Sequence, residues 1–89
     1  MNPETVVAAL TVAAGKADAG VRLVDRRERS TFSPWSEVRE RAMRVAGGLR
    51  AIGVRTGDRV AVVLPTGDAF LSAFFGAIAA GAIPAPLPP

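Results

Sequence analysis

Residues 69–89 carry no charged side chain, yet Gly81 and four prolines, Pro84, Pro86, Pro88 and Pro89, fall within them. That combination leaves few folds open. Residues 69–80 read as a helix whose Phe70, Leu71, Phe74, Phe75 and Ile78 spread over most of its circumference, so it is buried rather than amphipathic. Gly81 ends it, and the prolines forbid its continuation, which makes residues 82–87 extended. Upstream, residues 59–65 (Arg-Val-Ala-Val-Val-Leu-Pro) are apolar on both faces, the pattern of an interior parallel strand covered by helices. With Thr66 or Asp68 as the helix cap, the segment predicts a strand–helix–strand unit with parallel strands joined right-handedly. The apolar helix is about 13 residues long, short of the roughly 20 needed to span a bilayer.

The preceding residues supply three further elements. Asn2 as cap, Pro3 at the first helical position and Glu4 near the positive helix end open a helix over residues 2–14, with Val6, Val7, Leu10 and Ala14 as its apolar stripe. Read as an export signal, the same run has the wrong flanks: Glu4 precedes it and Lys16 follows it. Residues 15–20 are a loop, and residues 21–25 and 31–33 pair as a short hairpin. Arg26, Arg27 and Arg29 at its tip resemble a phosphate patch, but Asp25 and Glu28 interrupt them, as in a solvated turn.

Ser33 as cap and Pro34 at the first position start the clearest helix, which Gly53 stops. Val38, Ala42, Val45, Ala46, Leu49 and Ile52 share one face, while Arg39, Glu40, Arg44 and Arg50 face water. Glu37 with Arg41 and Glu40 with Arg44 stand at the favourable i,i+4 spacing. Gly47 and Gly48, costly inside a helix, predict a close contact with a neighbouring element.

Composition narrows the chemistry. The chain has 89 residues, no Cys and no His, hence no thiolate nucleophile, no imidazole base, no disulfide and no zinc site of the usual ligands. Eleven basic residues against eight acidic give a net charge of +3, too small to argue for a nucleic-acid partner. Thr56-Gly57-Asp58 and Thr66-Gly67-Asp68 repeat a tripeptide that suggests a phosphate-cradling turn, and the second stands at the carboxyl end of the buried strand. Neither has the glycine spacing that converges several amides on a phosphate, and Asp68 sets a carboxylate where the anion would lie. Two polar turns are the plainer reading.

Four blocks in order resemble the acyl-adenylating (AMP-forming) ligases, which include acyl-CoA synthetases, fatty acyl-AMP ligases and peptide-synthetase adenylation domains. They are Trp35-Ser36-Glu37-Val38-Arg39-Glu40-Arg41-Ala42 running on through Val45-Ala46-Gly47-Gly48-Leu49; residues 53–61 (Gly-Val-Arg-Thr-Gly-Asp-Arg-Val-Ala); Leu64-Pro65-Thr66; and Phe74-Phe75-Gly76-Ala77 followed by residues 80–87 (Ala-Gly-Ala-Ile-Pro-Ala-Pro-Leu). Residues 73–77 and 84–89 look most like the fatty-acyl branch, although that branch usually places a tyrosine after the leucine where Leu87 here meets Pro88 directly.

The resemblance implies an α/β fold, with residues 1–20 a leading helix and loop and residues 21–89 the start of the large domain's core. It implies ATP- and magnesium-dependent activation of a carboxylic acid, fatty in the closest branch, as acyl-AMP for transfer to a thiol, in the cytoplasm. The family's phosphate loop, adenine-contacting aromatic, ribose-binding aspartate and catalytic lysine match no segment here. No catalytic, cofactor-binding or metal residue is therefore assigned. The expectation is a scaffold segment ended early, inactive alone, partnered by the rest of the ligase, with no nucleic acid and no membrane span, and prone to self-association when isolated. The alternatives are a stand-alone interaction module using the Phe70–Ile78 surface, and a small exported or membrane-associated protein.

Overall fold

The computed structural model describes residues 3–16, 19–24, 30–65 and 67–88. Asn2, Asp25, the Arg26, Arg27 and Arg29 cluster, Glu28, Thr66 and Pro89, on which several expectations fell, lie outside them. Seven elements follow in an α/β order: α1 (Pro3–Ala14), β1 (Gly20–Val24), β2 (Ser30–Pro34), α2 (Trp35–Ala51), β3 (Arg59–Val62), α3 (Asp68–Ala79) and β4 (Ile83–Pro86).

β1 and β2 form the expected antiparallel hairpin, registered from Gly20 opposite Pro34 to Val24 opposite Ser30. The Trp35 amide donates to the Ala19 carbonyl at 3.1 Å, so the chain enters α2 straight from the hairpin. β3 and β4 pair in parallel, Arg59 opposite Ile83 and Val62 opposite Pro86, with α3 as the crossover. β3 is shorter than its apolar run: Val63 and Leu64 lie beyond it, 51% and 37% exposed.

The core lies between α2 and α3, with α1 against both. Val38, Ala42 and Ala46 of α2 are buried against Ser72, Gly76, Ala77 and Ile78 of α3, and Leu10 of α1 joins them. Ser72, Gly76 and Ala80 form a buried i,i+4 row of small residues, a pattern that lets two helices approach closely. The contact is tightest at Gly76, where a β-carbon would fall 2.5 Å from Val45 Cγ1 and 2.9 Å from the Ala42 carbonyl oxygen.

α2 and α3 end in the same cap. The Gly53 and Val54 amides donate to the Arg50 and Leu49 carbonyls, and the Gly81 and Ala82 amides to the Ile78 and Ala77 carbonyls. This is the Schellman pattern, and it needs the left-handed φ of +102° at Gly53 and +84° at Gly81. The Arg50 guanidinium adds a bond to the Ala79 carbonyl at 3.2 Å, a cation at the negative end of α3.

Several local expectations are corrected. Ser33 does not cap α2: Pro34 occupies the cap position with φ −59° and ψ 144°, no side chain caps the helix, and the Ser33 hydroxyl is used elsewhere. Asp68 is the first residue of α3 rather than its cap, which is Gly67. Gly47 and Gly48 approach nothing, since a β-carbon at either meets no atom within 4 Å; they lie 100° and 200° around the helix from Ala46 and face outward. Ile52, placed on the buried stripe, is 79% exposed, because the helix has ended and the chain turns. Arg39 does not simply face water, since its Nε donates to Thr11 Oγ1 of α1 at 2.9 Å.

Candidate functional site

The carboxyl end of β3, where open parallel sheets keep their ligands, is where chemistry should gather. Here the β3–α3 connection meets the end of β2 and the first turns of α2. Asp68 stands at the first position of α3, and the buried Ser33 hydroxyl donates to its Oδ1 at 2.5 Å across 35 residues of sequence. Arg41 of α2 reaches Asp68 Oδ2 at 3.5 Å and Glu37 at 3.6 Å. The Ser72 hydroxyl donates to the Asp68 carbonyl at 2.8 Å, and the Leu71 amide to the Gly67 carbonyl at 3.0 Å. Both carboxylate oxygens are thus used within the protein, and a negative charge already occupies the positive end of the helix. The junction holds β2, α2 and α3 together. It is not an open anion cradle.

The other Thr-Gly-Asp turn is committed in the same way. Asp58 Oδ2 accepts the Arg55 amide at 2.8 Å, the Asp58 amide donates back to the Arg55 carbonyl at 3.0 Å, and the Gly57 amide donates to the Gly81 carbonyl at 2.9 Å. Its role is to join the start of β3 to the end of α3. Glu40 and Arg44 form their ion pair on the outer face of α2. Among the described residues no three of His, Cys, Asp and Glu come together as metal ligands. No helix among them is long and apolar enough to cross a membrane.

An apolar groove of about 360 Å³ lies between α1 and the α2–α3 pair, lined by Thr5, Val6, Ala9, Leu10, Ala13, Trp35 and Phe75. Trp35 meets Phe75 edge-on at 6.3 Å between centroids, and Phe75 meets Phe74 the same way at 5.6 Å. No titratable side chain lines the groove, so it offers apolar contact and no acid–base chemistry. Sequence reasoning missed the Ser33–Asp68 link because each residue, taken locally, is a good helix cap. It missed Gly76 as the crossing point, although the Ser72, Gly76, Ala80 spacing was there to find.

Comparison with known proteins gives concordant results. The family model described as AMP-binding enzyme matches residues 10–89. Pyochelin synthetase PchE of Pseudomonas aeruginosa is 57% identical over 51 residues, covering 57% of this chain and 4% of the synthetase. Feruloyl-CoA synthase of Amycolatopsis is 44% identical over 61 residues, covering 68% of this chain and 12% of that enzyme. Among solved structures, a chain from work on fatty acyl-adenylate ligases of E. coli and L. pneumophila superimposes with a TM-score of 0.84 at 33% identity, over 94% of this chain and 15% of its own. The chain therefore spans a small fraction of the length of these relatives.

Proposed function

This chain belongs to the AMP-binding enzyme family, and we propose that it forms the first part of the large domain of an ATP-dependent acyl-adenylating ligase. In this reading residues 1–20 are a leading helix and loop, and residues 21–89 begin the α/β core. The ligase joins a carboxylic acid to AMP and passes the acyl group to a thiol. The structural likeness to fatty acyl-adenylate ligases supports a fatty acid as substrate. The feruloyl-CoA synthase match supports an aryl acid as the second reading. A cytoplasmic enzyme is part of the same proposal.

The role proposed for these residues is structural, and the observation that carries it is that Asp58 and Asp68 are both held by internal hydrogen bonds. Adenylation brings a carboxylate oxygen in line with the ATP α-phosphate, and the barrier falls when donors and cations are fixed around the moving charge. Here the carboxylates of Asp58 and Asp68 and the amide of Gly57 are used internally. These three groups are therefore not offered to ATP or magnesium, and no catalytic residue is assigned in this segment.

The test uses the solved fatty acyl-adenylate ligase with its matched segment replaced by these 89 residues. The chimera is expected to exchange labelled pyrophosphate into ATP when given a fatty acid. The isolated chain is expected to give only the no-acid background. Exchange by the isolated chain, or none by a folded chimera, overturns the proposal.

Isolation has a second expected consequence. Val63, Ile83 and Leu87 are each about half exposed, beside Ile52 at 79%, and such side chains gathered on one domain promote association. Sedimentation of the isolated chain is expected to show mass rising with concentration; a monomer throughout would count against it.

A further inference from the structure

We propose that the groove along α1 binds a free single-chain amphiphile with an anionic head, the alkyl chain lying between α1 and the Trp35–Phe75 pair and the head at Lys16.

α1 leaves much of its inner face uncovered. Leu10 is its one buried residue among those described, while Thr5, Val6, Ala9 and Ala13 line the groove. Thr5, Ala9 and Ala13 stand four residues apart and so form a row along the helix. That row covers eight residues, about 12 Å, the length of an extended alkyl chain of roughly ten carbons. Ala9 and Ala13 have little side chain of their own to fill the space, and the half-buried rings of Trp35 and Phe75 supply the other wall. At about 360 Å³ the groove stands at the small end of the range for small-molecule sites, roughly 300 to 1,000 Å³.

The charges decide what such a chain can carry. No charged side chain lines the groove, so a head group lies at one of its ends. Arg39 is held by Thr11, which is about 200° around the helix from both Ala9 and Ala13, so that cation belongs to the other flank. At the carboxyl end of α1 the Lys16 amide donates to the Ala13 carbonyl at 3.1 Å, a three-residue turn that brings Lys16 back to the Ala13 side. Lys16 is exposed, and the ion pairs among the described residues, Arg41 with Glu37 and Asp68 and Arg44 with Glu40, do not use it. Its charge also offsets the carbonyl end of α1, which alone would repel an anion. An ammonium at the mouth of an uncharged groove complements an anionic head. With no acid or base in the groove, the ligand is held and not converted.

The experiment is equilibrium dialysis of this chain against sodium alkanoates kept below their micelle-forming concentrations. Binding is expected to saturate, with affinity rising about two- to threefold per methylene up to about ten carbons and then levelling off. Lys16→Gln is expected to weaken decanoate about two- to fivefold and to leave decanol unchanged. Ala9→Phe fills the groove from an exposed position and is expected to weaken decanoate at least about tenfold, whereas Leu87→Ser, half exposed and outside the groove, is expected to change nothing. A decanoate carrying a photoreactive diazirine on its chain is expected to label α1, Trp35 or Phe75. The temperature of unfolding, followed by backbone dichroism, is expected to rise with decanoate, as it does with any ligand of the folded state. Binding that does not saturate, an affinity without a plateau, a fall in that temperature, label confined to other residues, or equal losses in Ala9→Phe and Leu87→Ser each overturn the proposal. Binding to anionic phospholipid vesicles without binding of monomeric decanoate overturns it as well, since the face would then meet a membrane and not a free amphiphile.

Discussion

Replacing Gly76 by leucine is expected to cost about 3 kcal/mol, a large part of the roughly 5 to 15 kcal/mol net stability of a native domain. The β-carbon alone falls 2.5 Å from Val45 Cγ1 and 2.9 Å from the Ala42 carbonyl oxygen, and the second of these is backbone, which cannot step aside. Gly76→Ala sets two effects against each other. Alanine gains about 1 kcal/mol in helix propensity, but the crossing must open by several tenths of an ångström, so a net loss of about 1 to 2 kcal/mol is expected. Gly47→Ala and Gly48→Ala are the counterpart on α2. Nothing lies within 4 Å of either new β-carbon, and each is expected to stabilise by up to about 1 kcal/mol. Urea unfolding of the four variants reads all these signs. A neutral Gly76→Leu would show that the two helices are not in close contact.

That contrast also shows what the sequence could tell. A glycine in a helix announces a cost but not its cause, and three such glycines look alike until a partner helix is placed beside them. Elements were legible where one chemical rule acted alone: Gly53 and Gly81 stop helices, and prolines 84 and 86 keep β4 extended. The parallel pairing followed from the apolar β3 run and the crossover helix. Ser33, Pro34 and Asp68 were misplaced because a serine or aspartate before a helix satisfies local capping rules as well as it satisfies a long-range bond. Only tertiary structure chooses between the two. At the candidate site the sequence showed Asp58 and Asp68 beside glycines but not their partners, because the Arg55 amide and the Ser33 hydroxyl that they accept from are set by the folded backbone.

The second large effect is expected at that junction. Asp68→Ala leaves the Ser33 hydroxyl, in a residue only 2% exposed, without its acceptor, and it removes the negative charge from the amino end of α3. The first change costs about 1 to 3 kcal/mol and the second about 0.5. The Arg41 pair adds little, because both partners are about two-fifths exposed and water screens them. Ser33→Ala removes the donor but leaves Asp68 with Arg41 and partial solvent access, so a smaller loss of about 1 kcal/mol is expected. In the double variant the unpaired hydroxyl no longer exists, and its cost is expected to fall about 1 kcal/mol short of the sum of the two single changes. Losses that add to within about 0.3 kcal/mol would mean that the two residues do not act as a pair.

The edge-on stack of Trp35 on Phe75 makes the chain its own spectroscopic reporter. There is one tryptophan and no tyrosine, so fluorescence excited near the red edge of aromatic absorption comes from a single place, the meeting point of the three helices. The β3–β4 pair contributes nothing to that signal. Emission therefore follows separation of the helices while backbone dichroism follows every element, and coincidence of the two unfolding curves is a direct check of whether sheet and helices come apart as one cooperative unit.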